Sequence, residues 1–431
     1  MDKPLKLGLL GFGTVGTGVY RILQRNRAVI SARAGVGFEI AKILVRDLNK
    51  PRAVEVDRSI LTADPREVLD DPEIAIVVEL IGGLEPAYQY IREALSKGKH
   101  VVTANKAVIA TYGARLIRLA AENGADLYYE GAVGGGIPII KPLRESLVGN
   151  RIEEVMGIVN GTTNYILTKM TREKADFAAV LAEAQALGYA EADPSADVEG
   201  FDAAHKLVIL ASLAFQKPIS VSQVYREGVS KITQEDIAFA EHFGYTIKLL
   251  AIGKRHPQGI EVRVHPTFIP SRHPLASVHG VFNAIYVRGD AVGELMFYGR
   301  GAGDLPTGSA VVADIVDVLR NCRQGTHHRV ETLWEDVPVL SIDDVRTRYY
   351  IRLHAVDKPG VLAQVAANFG AEGVSIESMV QQGRGEGQPV PIVFITHDVE
   401  ERRLRASLAR IATLPVVKDI ANVIRVEGGG R

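Results

Sequence analysis

The most restrictive feature of this sequence is the run Gly11-Phe12-Gly13-Thr14-Val15-Gly16. It follows the apolar stretch Leu5 to Leu10 directly, and it opens a segment from Thr14 to Gln24 in which Val15, Val19, Ile22 and Leu23 recur at helical spacing. A short continuous apolar run ended by glycine reads as a strand buried on both faces of a parallel sheet. Each glycine has its own reason. Gly11 permits the tight turn, Gly13 lets the backbone approach a pyrophosphate, and Gly16 lets the helix pack close to the strand. The N–H groups of the helix's first turn then face the phosphates. Strand, loop and helix in this order predict a dinucleotide site. The competing reading is a glycine-rich turn that holds no ligand.

The next segments keep the alternation. Phe38 to Val45, Ile74 to Ile81, His100 to Thr103 and Leu127 to Tyr129 read as strands, and Tyr88 to Ser96 and Ala114 to Glu122 as helices. Such alternation predicts an α/β domain with a parallel sheet of Rossmann type. The second strand ends Leu44-Val45-Arg46-Asp47, with Lys50 close behind. A carboxylate at this point holds the ribose hydroxyls of NAD, whereas guanidinium and ammonium groups suit the 2′-phosphate of NADP. Arg46 and Lys50 therefore favour NADP, and Asp47 keeps NAD open. Ordinary solvated loop charges are the alternative for both.

Beyond Gly131 the pattern changes. Thr162 to Met170, Phe177 to Leu187 and Phe201 to Phe215 look helical. Lys248 to Gly253, Gly259 to Phe268, Ala284 to Arg288 and Ala291 to Tyr298 look like strands of an antiparallel or mixed sheet. A helix from Ser309 to Leu319 is expected to pack back on the first domain. Val337 to Arg348 is polar and reads as a linker. The unit after it has the order β-α-β-β-α-β, a ferredoxin-like split that opens with the turn Asp357-Lys358-Pro359-Gly360. The expected domains are 1–135 with 305–335 packing back on it, an α+β substrate and dimerisation domain over 136–304, and a regulatory domain over 349–431.

Composition narrows the function classes. With 50 basic and 51 acidic residues the net charge is -1, which points to neither nucleic acid nor an anionic membrane. No apolar run is long enough to span a bilayer and no signal peptide precedes the first strand, so a cytoplasmic protein is expected. The single cysteine, Cys322, cannot form an internal disulfide and ends an apolar helical pattern, where a structural role is expected.

Several longer runs carry a resemblance. They are Thr103-Ala104-Asn105-Lys106 after a strand, Glu130-Gly131-Ala132-Val133-Gly134-Gly135-Gly136-Ile137-Pro138, Gly157-Ile158-Val159-Asn160-Gly161-Thr162-Thr163-Asn164, Gly188-Tyr189-Ala190-Glu191-Ala192-Asp193-Pro194, the stretch Asp197 to Lys206, and Gly301 to Thr307. On these runs the chain resembles the bacterial, monofunctional homoserine dehydrogenase family along essentially its whole length. The resemblance implies reduction of L-aspartate-4-semialdehyde to L-homoserine with NADP(H) or NAD(H), in the biosynthesis of threonine, methionine and isoleucine. Asp202 and Lys206 are four residues apart on one helix face. An ammonium there can stabilise the charge that builds on a carbonyl oxygen and donate a proton to it. By resemblance Lys206 is the general acid, and Lys106 contacts substrate or nicotinamide. Glu191 and Asp202 bind the α-amino group. Phe12, Thr14, Val15, Thr103, Asn105, Gly188, Glu191 and Gly303 approach the cofactor. Taken alone, an Asp–Lys pair at this spacing is usually a surface ion pair worth little.

Glu130, Val133, Gly135 and Ile137 resemble the family's loop for a monovalent cation, expected to be Na⁺ held by a carboxylate and backbone carbonyls. A loop that covers the cofactor with no ion is the alternative. The C-terminal unit is similar to an ACT domain. Asp357 is expected to accept from an effector's α-amino group while backbone near Gly360 holds its carboxylate, with threonine the expected effector. A homodimer or homotetramer is expected. Two further readings compete: another amino-acid oxidoreductase on this scaffold, and a cofactor-bound sensor that has lost catalysis. The sensor reading predicts loss of Lys106 or Lys206, and both are present.

Overall fold

The computed structural model describes residues 3–327, 334–381 and 389–428. The chain divides into two compact units. The first is Met1–Val155 with His205–Ser222 and Phe282–Asp336, and the second is Met156–Ala204 with Gln223–Val281 and Val337–Arg431.

The first unit is built on a six-stranded parallel sheet in the order Leu61–Thr62, Phe38–Leu44, Leu5–Leu10, Ile74–Glu79, His100–Thr103, Leu127–Tyr128. This is the doubly wound order of a Rossmann fold, and the order reverses between Leu5–Leu10 and Ile74–Glu79. Ligands of such sheets bind outside the strands' carboxyl ends at that reversal. Leu10 pairs with Glu79 there, and Gly11 follows at once. The strands are apolar on both sides because helices cover both faces. One covering helix, Thr14–Arg25, buries Val19, Tyr20 and Leu23. Another, Asp304–Gln324, inserts Val311, Val312, Ile315, Val318 and Leu319 into the same core as Leu7, Leu9 and Ile76. The two helices touch through glycine. A Cβ on Gly18 would lie 2.1 Å from the carbonyl oxygen of Asp304, and one on Gly308 would lie 3.0 Å from the backbone of Gly18.

The second unit holds strands Tyr245–His256 and Gly259–Pro270 paired antiparallel. Gly259–Pro270 pairs parallel with Val417–Val426 at Thr267–Arg425 and Phe268–Val426. The C-terminal elements Arg346–Val356, Val361–Ala371, Ile376–Gln381, Pro389–Thr396, Glu401–Ile411 and Val417–Val426 keep the expected β-α-β-β-α-β order. Their sheet order is Val417–Val426, Arg346–Val356, Pro389–Thr396, Ile376–Gln381. Tyr349, Ile351, Phe369, Phe394 and Leu404 form the core beneath them.

Several elements differ from the sequence reading. The helix expected from Ala114 begins at Lys106, because Asn105 caps it by accepting from the Val108 N–H at 3.2 Å. The β-branched and glycine residues of its first half disguise it. Helix Arg27–Ala34, strand Ile152–Ile158 and helix Gln234–His242 were not anticipated. The last carries a capping box between Thr233 and Asp236, a signal already present in the sequence. The expected linker is not free. Leu340 N–H donates to Ile260 O at 2.8 Å and Ile260 N–H to Pro338 O at 2.9 Å, so main-chain bonds pin it to strand Gly259–Pro270. Among the described residues no helix is long and apolar enough to cross a membrane.

Candidate active site

Gly11 has φ +105°, and a Cβ on it would meet Leu80 O at 2.7 Å across the strand reversal. A Cβ on Gly16 would meet Gly11 O at 2.5 Å, so the helix start and the turn lie in contact. Gly13 has open space around it, and no side chain caps the helix that it begins. Thr14 is exposed and Val15 half-buried at that helix start. Phe12 is buried edge-on to Tyr20, with ring centroids 5.5 Å apart. The Arg52 guanidinium lies over the Phe12 ring at 5.8 Å. Arg46 and Lys50 are both exposed on the loop after Phe38–Leu44. Arg52 is a third cation on that loop, and the sequence reading passed over it.

The carboxyl ends of the next two strands are tied by a buried carboxylate. Glu79 is fully buried and accepts from the Thr103 hydroxyl at 2.6 Å, Ile81 N–H at 2.7 Å and Gly82 N–H at 3.3 Å. Burial pushes its carboxyl above the usual range, and these donors oppose the shift. Thr103 also accepts from Asn105 N–H at 2.9 Å, and the Asn105 amide donates to Gly83 O at 2.8 Å. The Thr103 hydroxyl is thus committed to Glu79 and Asn105, and its side chain is fully buried. It shapes the loop; what it offers a ligand is backbone. Lys106, half-buried, is the first residue of the helix Lys106–Glu122. A cation at a helix N-terminus opposes the helix dipole, so this placement serves something other than helix stability.

Lys206 lies on helix Phe201–Ala214 and is 9% exposed. Asp202 lies one turn earlier on the same helix and is 7% exposed. Asn160 fixes the Asp202 side chain. Its amide donates to Asp202 Oδ2 at 2.9 Å and to Asp197 Oδ1 at 2.6 Å, while its own oxygen accepts from Thr163 N–H at 2.9 Å as the cap of helix Gly161–Glu173. Asn160 was quoted in the sequence runs without a role, and its cap position before a Thr-Thr pair was the available signal. Glu191 is exposed on a loop whose backbone is held by Gln185 at 3.0 Å. Gly188 has φ +73° with open space around it, and Gly303 has φ +126° at the start of helix Asp304–Gln324.

The expected cation loop is organised by Glu130. The carboxylate of Glu130 accepts from Ile139 N–H at 2.5 Å, Ile140 N–H at 2.8 Å and Lys141 N–H at 2.7 Å. Three amides thus take most of its acceptor capacity. The donors left to an ion are chiefly main-chain carbonyls. Gly134 and Gly135 take positive φ here, and a Cβ on Gly135 would lie 2.5 Å from the Gly301 carbonyl carbon. The Glu130 N–H donates to the buried Asp314 at 2.8 Å. Burial first, then Glu130, hold the Asp314 carboxyl well above the usual carboxylate range. Oxygen donors of this kind suit a hard cation rather than a soft metal.

At the regulatory turn, Asp357 Oδ1 accepts from Gln381 at 3.1 Å, and Gly360 has φ +88° at the exposed start of helix Val361–Ala371. Cys322 packs on the nucleotide-domain core, and burial pushes its thiol up to about 11, which leaves little thiolate.

Comparisons with known proteins bear on the family of the chain. The pattern described as the NAD-binding domain of homoserine dehydrogenase matches residues 11–130, and that of the ACT domain matches residues 349–416. Fold and site together define an NAD(P)-dependent oxidoreductase acting on a CH–OH group, with an ACT domain in its C-terminal part. The pattern described as homoserine dehydrogenase matches residues 138–316. The homoserine dehydrogenase of Pseudomonas aeruginosa is 48% identical, with 99% of each chain covered. A crystal structure of a homoserine dehydrogenase from Thiobacillus denitrificans superposes with a TM-score of 0.94 at 49% identity, covering 99% of this chain and 98% of that one. A hyperthermophilic archaeal homoserine dehydrogenase in complex with NADPH gives a TM-score of 0.63 at 29% identity, covering 73% of this chain and 98% of that one. This chain belongs to the homoserine dehydrogenase family.

Proposed function

We propose that this chain interconverts L-aspartate-4-semialdehyde and L-homoserine with NADP(H) as the preferred cofactor, in the cytoplasm, as a homodimer or homotetramer. One observation carries the assignment of roles: Lys206, almost buried, stands one helical turn from Asp202, whose carboxylate is fixed by Asn160. Homoserine and its aldehyde carry an α-ammonium, which Asp202 and Glu191 bind as carboxylates. Lys206 holds a proton at Nζ and gives it to the carbonyl oxygen as that oxygen gains charge. In homoserine oxidation the same nitrogen takes the hydroxyl proton. When bound, the nicotinamide supplies or accepts the hydride. Lys106 contacts substrate or nicotinamide from the helix that Asn105 caps. The turn from Gly11 to Gly16 with Phe12, Gly13, Thr14 and Val15, the backbone at Thr103, Asn105, Gly188 and Gly303, and Glu191 hold the cofactor. Arg46 and Lys50, joined by Arg52, give the 2′-phosphate its cationic partners.

A structural Na⁺ would be held by the carbonyls of Val133, Gly135 and Ile137, with Glu130 contributing its carbonyl because three amides take most of its carboxylate's acceptor capacity. The domains read as 1–135 with 305–335, 136–304 and 349–431. The ACT domain senses an amino acid, with threonine the first to try, held by Asp357 and the backbone at Gly360.

The test is L-homoserine oxidation followed by the absorbance of the reduced cofactor, with NADP⁺ and NAD⁺ in parallel and threonine in half the reactions. Faster turnover with NADP⁺ and inhibition by threonine are expected. No oxidation with either cofactor by folded protein would remove the proposal and bring the sensor reading forward.

A further inference from the structure

Strand Val417–Val426 of the C-terminal sheet reaches the segment that leads into Asp202. Buried Arg425 bonds Glu227 at 3.0 Å and Glu401 at 2.7 and 2.9 Å. Glu227 belongs to a short stretch that lies against Val198 and Glu199. There Val229 N–H donates to Val198 O at 2.9 Å, Arg226 donates to Glu199 O at 2.6 Å, and the Ser230 hydroxyl donates to Glu199 Oε1 at 3.1 Å. A Cβ on Gly228 would fall 2.5 Å from Glu199 Oε2, so the contact leaves no room for a side chain. Asp202 follows Glu199 by three residues.

A cavity of about 200 Å³ opens at this junction, lined by Glu199, Ser230, Lys231, Pro266, Asn422 and Ile424 among others. Sites for drug-sized ligands run to roughly 300–1,000 Å³, so this one takes a smaller molecule. The Asn422 amide is used internally, donating to Asp236 at 2.8 Å and to Lys231 O at 3.2 Å. Glu227 is neutralised by Arg425. The Ser230 hydroxyl already donates to Glu199 Oε1, so what this pair offers a ligand is the remaining acceptor capacity of the carboxylate and the hydroxyl oxygen; the exposed Lys231 and the buried Pro266 and Ile424 complete the lining. An anion, a hydroxyl and a cation around a small apolar floor match the ammonium, carboxylate and short side chain of a zwitterion.

We propose that this cavity binds a small α-amino acid, separately from the Asp357–Gly360 turn, and that occupancy acts on the Asp202 segment through Glu199. The proposal rests on the enzyme reading only for its kinetic consequence, so binding is measured directly. L-Alanine, L-valine and L-threonine are titrated calorimetrically into the full chain, into Lys231→Glu and into Asp357→Ala. The melting temperature of each variant without ligand reports on folding, and Ser230→Ala replaces Lys231→Glu if the latter does not fold. Expected are binding of at least one of the three to wild type, weakening by about tenfold or more (about 1.4 kcal/mol) in Lys231→Glu, and retention in Asp357→Ala. The amino acid that binds is expected to raise KM for homoserine more than it lowers kcat. Binding of none, binding untouched in the cavity variant, or binding abolished only by Asp357→Ala overturns the proposal. Absence of homoserine oxidation would count against the enzyme reading alone, because the calorimetry is decided without it.

Discussion

The Asn160 amide donates to Asp202 at 2.9 Å while its oxygen caps a helix, so one side chain sets both a helix start and the direction of a carboxylate. Removal should therefore act on substrate binding more than on chemistry. Hydrogen bonds to charged groups contribute about 1.5–3 kcal/mol. Asn160→Ala is expected to raise KM for homoserine roughly tenfold or more with a smaller loss of kcat. Asn160→Asp places a third carboxylate beside Asp197 and Asp202, which should move the acidic limb of the pH profile upward. Steady-state kinetics across pH decide. Unchanged KM in both variants would detach Asn160 from the site.

Lys206→Ala should lose turnover heavily and keep cofactor affinity. A positioned general acid is worth roughly 10²–10⁴-fold. Turnover is read from homoserine oxidation and NADP⁺ affinity from fluorescence titration. A loss under about tenfold, a barrier change below about 1.4 kcal/mol, would contradict the acid role.

On the proposed reading the exposed Arg46 and Lys50 set cofactor choice, which should then be separable from activity. The double variant Arg46→Ala, Lys50→Ala is expected to lower kcat/KM for NADP⁺ about tenfold or more and to leave that for NAD⁺ within a factor of about three. Parallel assays with both cofactors measure the ratio. An equal fall for both would mean that the loop supports the fold and does not read the 2′-phosphate.

Lys248 offers a test of the second unit's electrostatics. It is 2% exposed and donates to Asn164 Oδ1 at 3.0 Å. Burial, and next the charge of Arg172, bring its pKa down from 10.5 to about 8. Between those two values the unfolded chain holds the proton and the folded chain does not, so this residue adds stability as pH rises through the window. Below about 8 both states are protonated and the increment is absent. Urea unfolding of wild type and Lys248→Met at pH 7.5 and pH 10 should show the wild type gaining on the variant. A constant gap between them would exclude the shift.

The parts of the site legible in the sequence were those whose chemistry is local. The glycines from Gly11 to Gly16 announce a turn, and Asp202 and Lys206 announce a helix face. The β-α-β-β-α-β order after Arg348 announces its sheet. What stayed hidden depends on partners far along the chain. Asn160 meets carboxylates 37 and 42 residues away. Glu79 meets a hydroxyl 24 residues away, and the Glu130 carboxylate meets the amides of residues 139–141. Helix starts at Lys106 and Asp304 were misplaced because capping by Asn105 and the contact with Gly18 override weak local propensity.

The contact between Gly18 and Asp304 also sets a schedule for synthesis. The last strand of the nucleotide sheet ends at Tyr128, whereas the helix that completes its core begins at Asp304. Ribosomes add roughly 5–20 residues per second, so roughly 10–35 s separate the two. During that interval Val19, Leu23 and their neighbours lack the apolar surface of Val311, Ile315 and Val318. The nascent nucleotide domain therefore emerges unfinished and waits for a segment encoded near the far end of the catalytic region. A chain truncated before Gln324 should be a client for chaperones rather than a smaller folded domain.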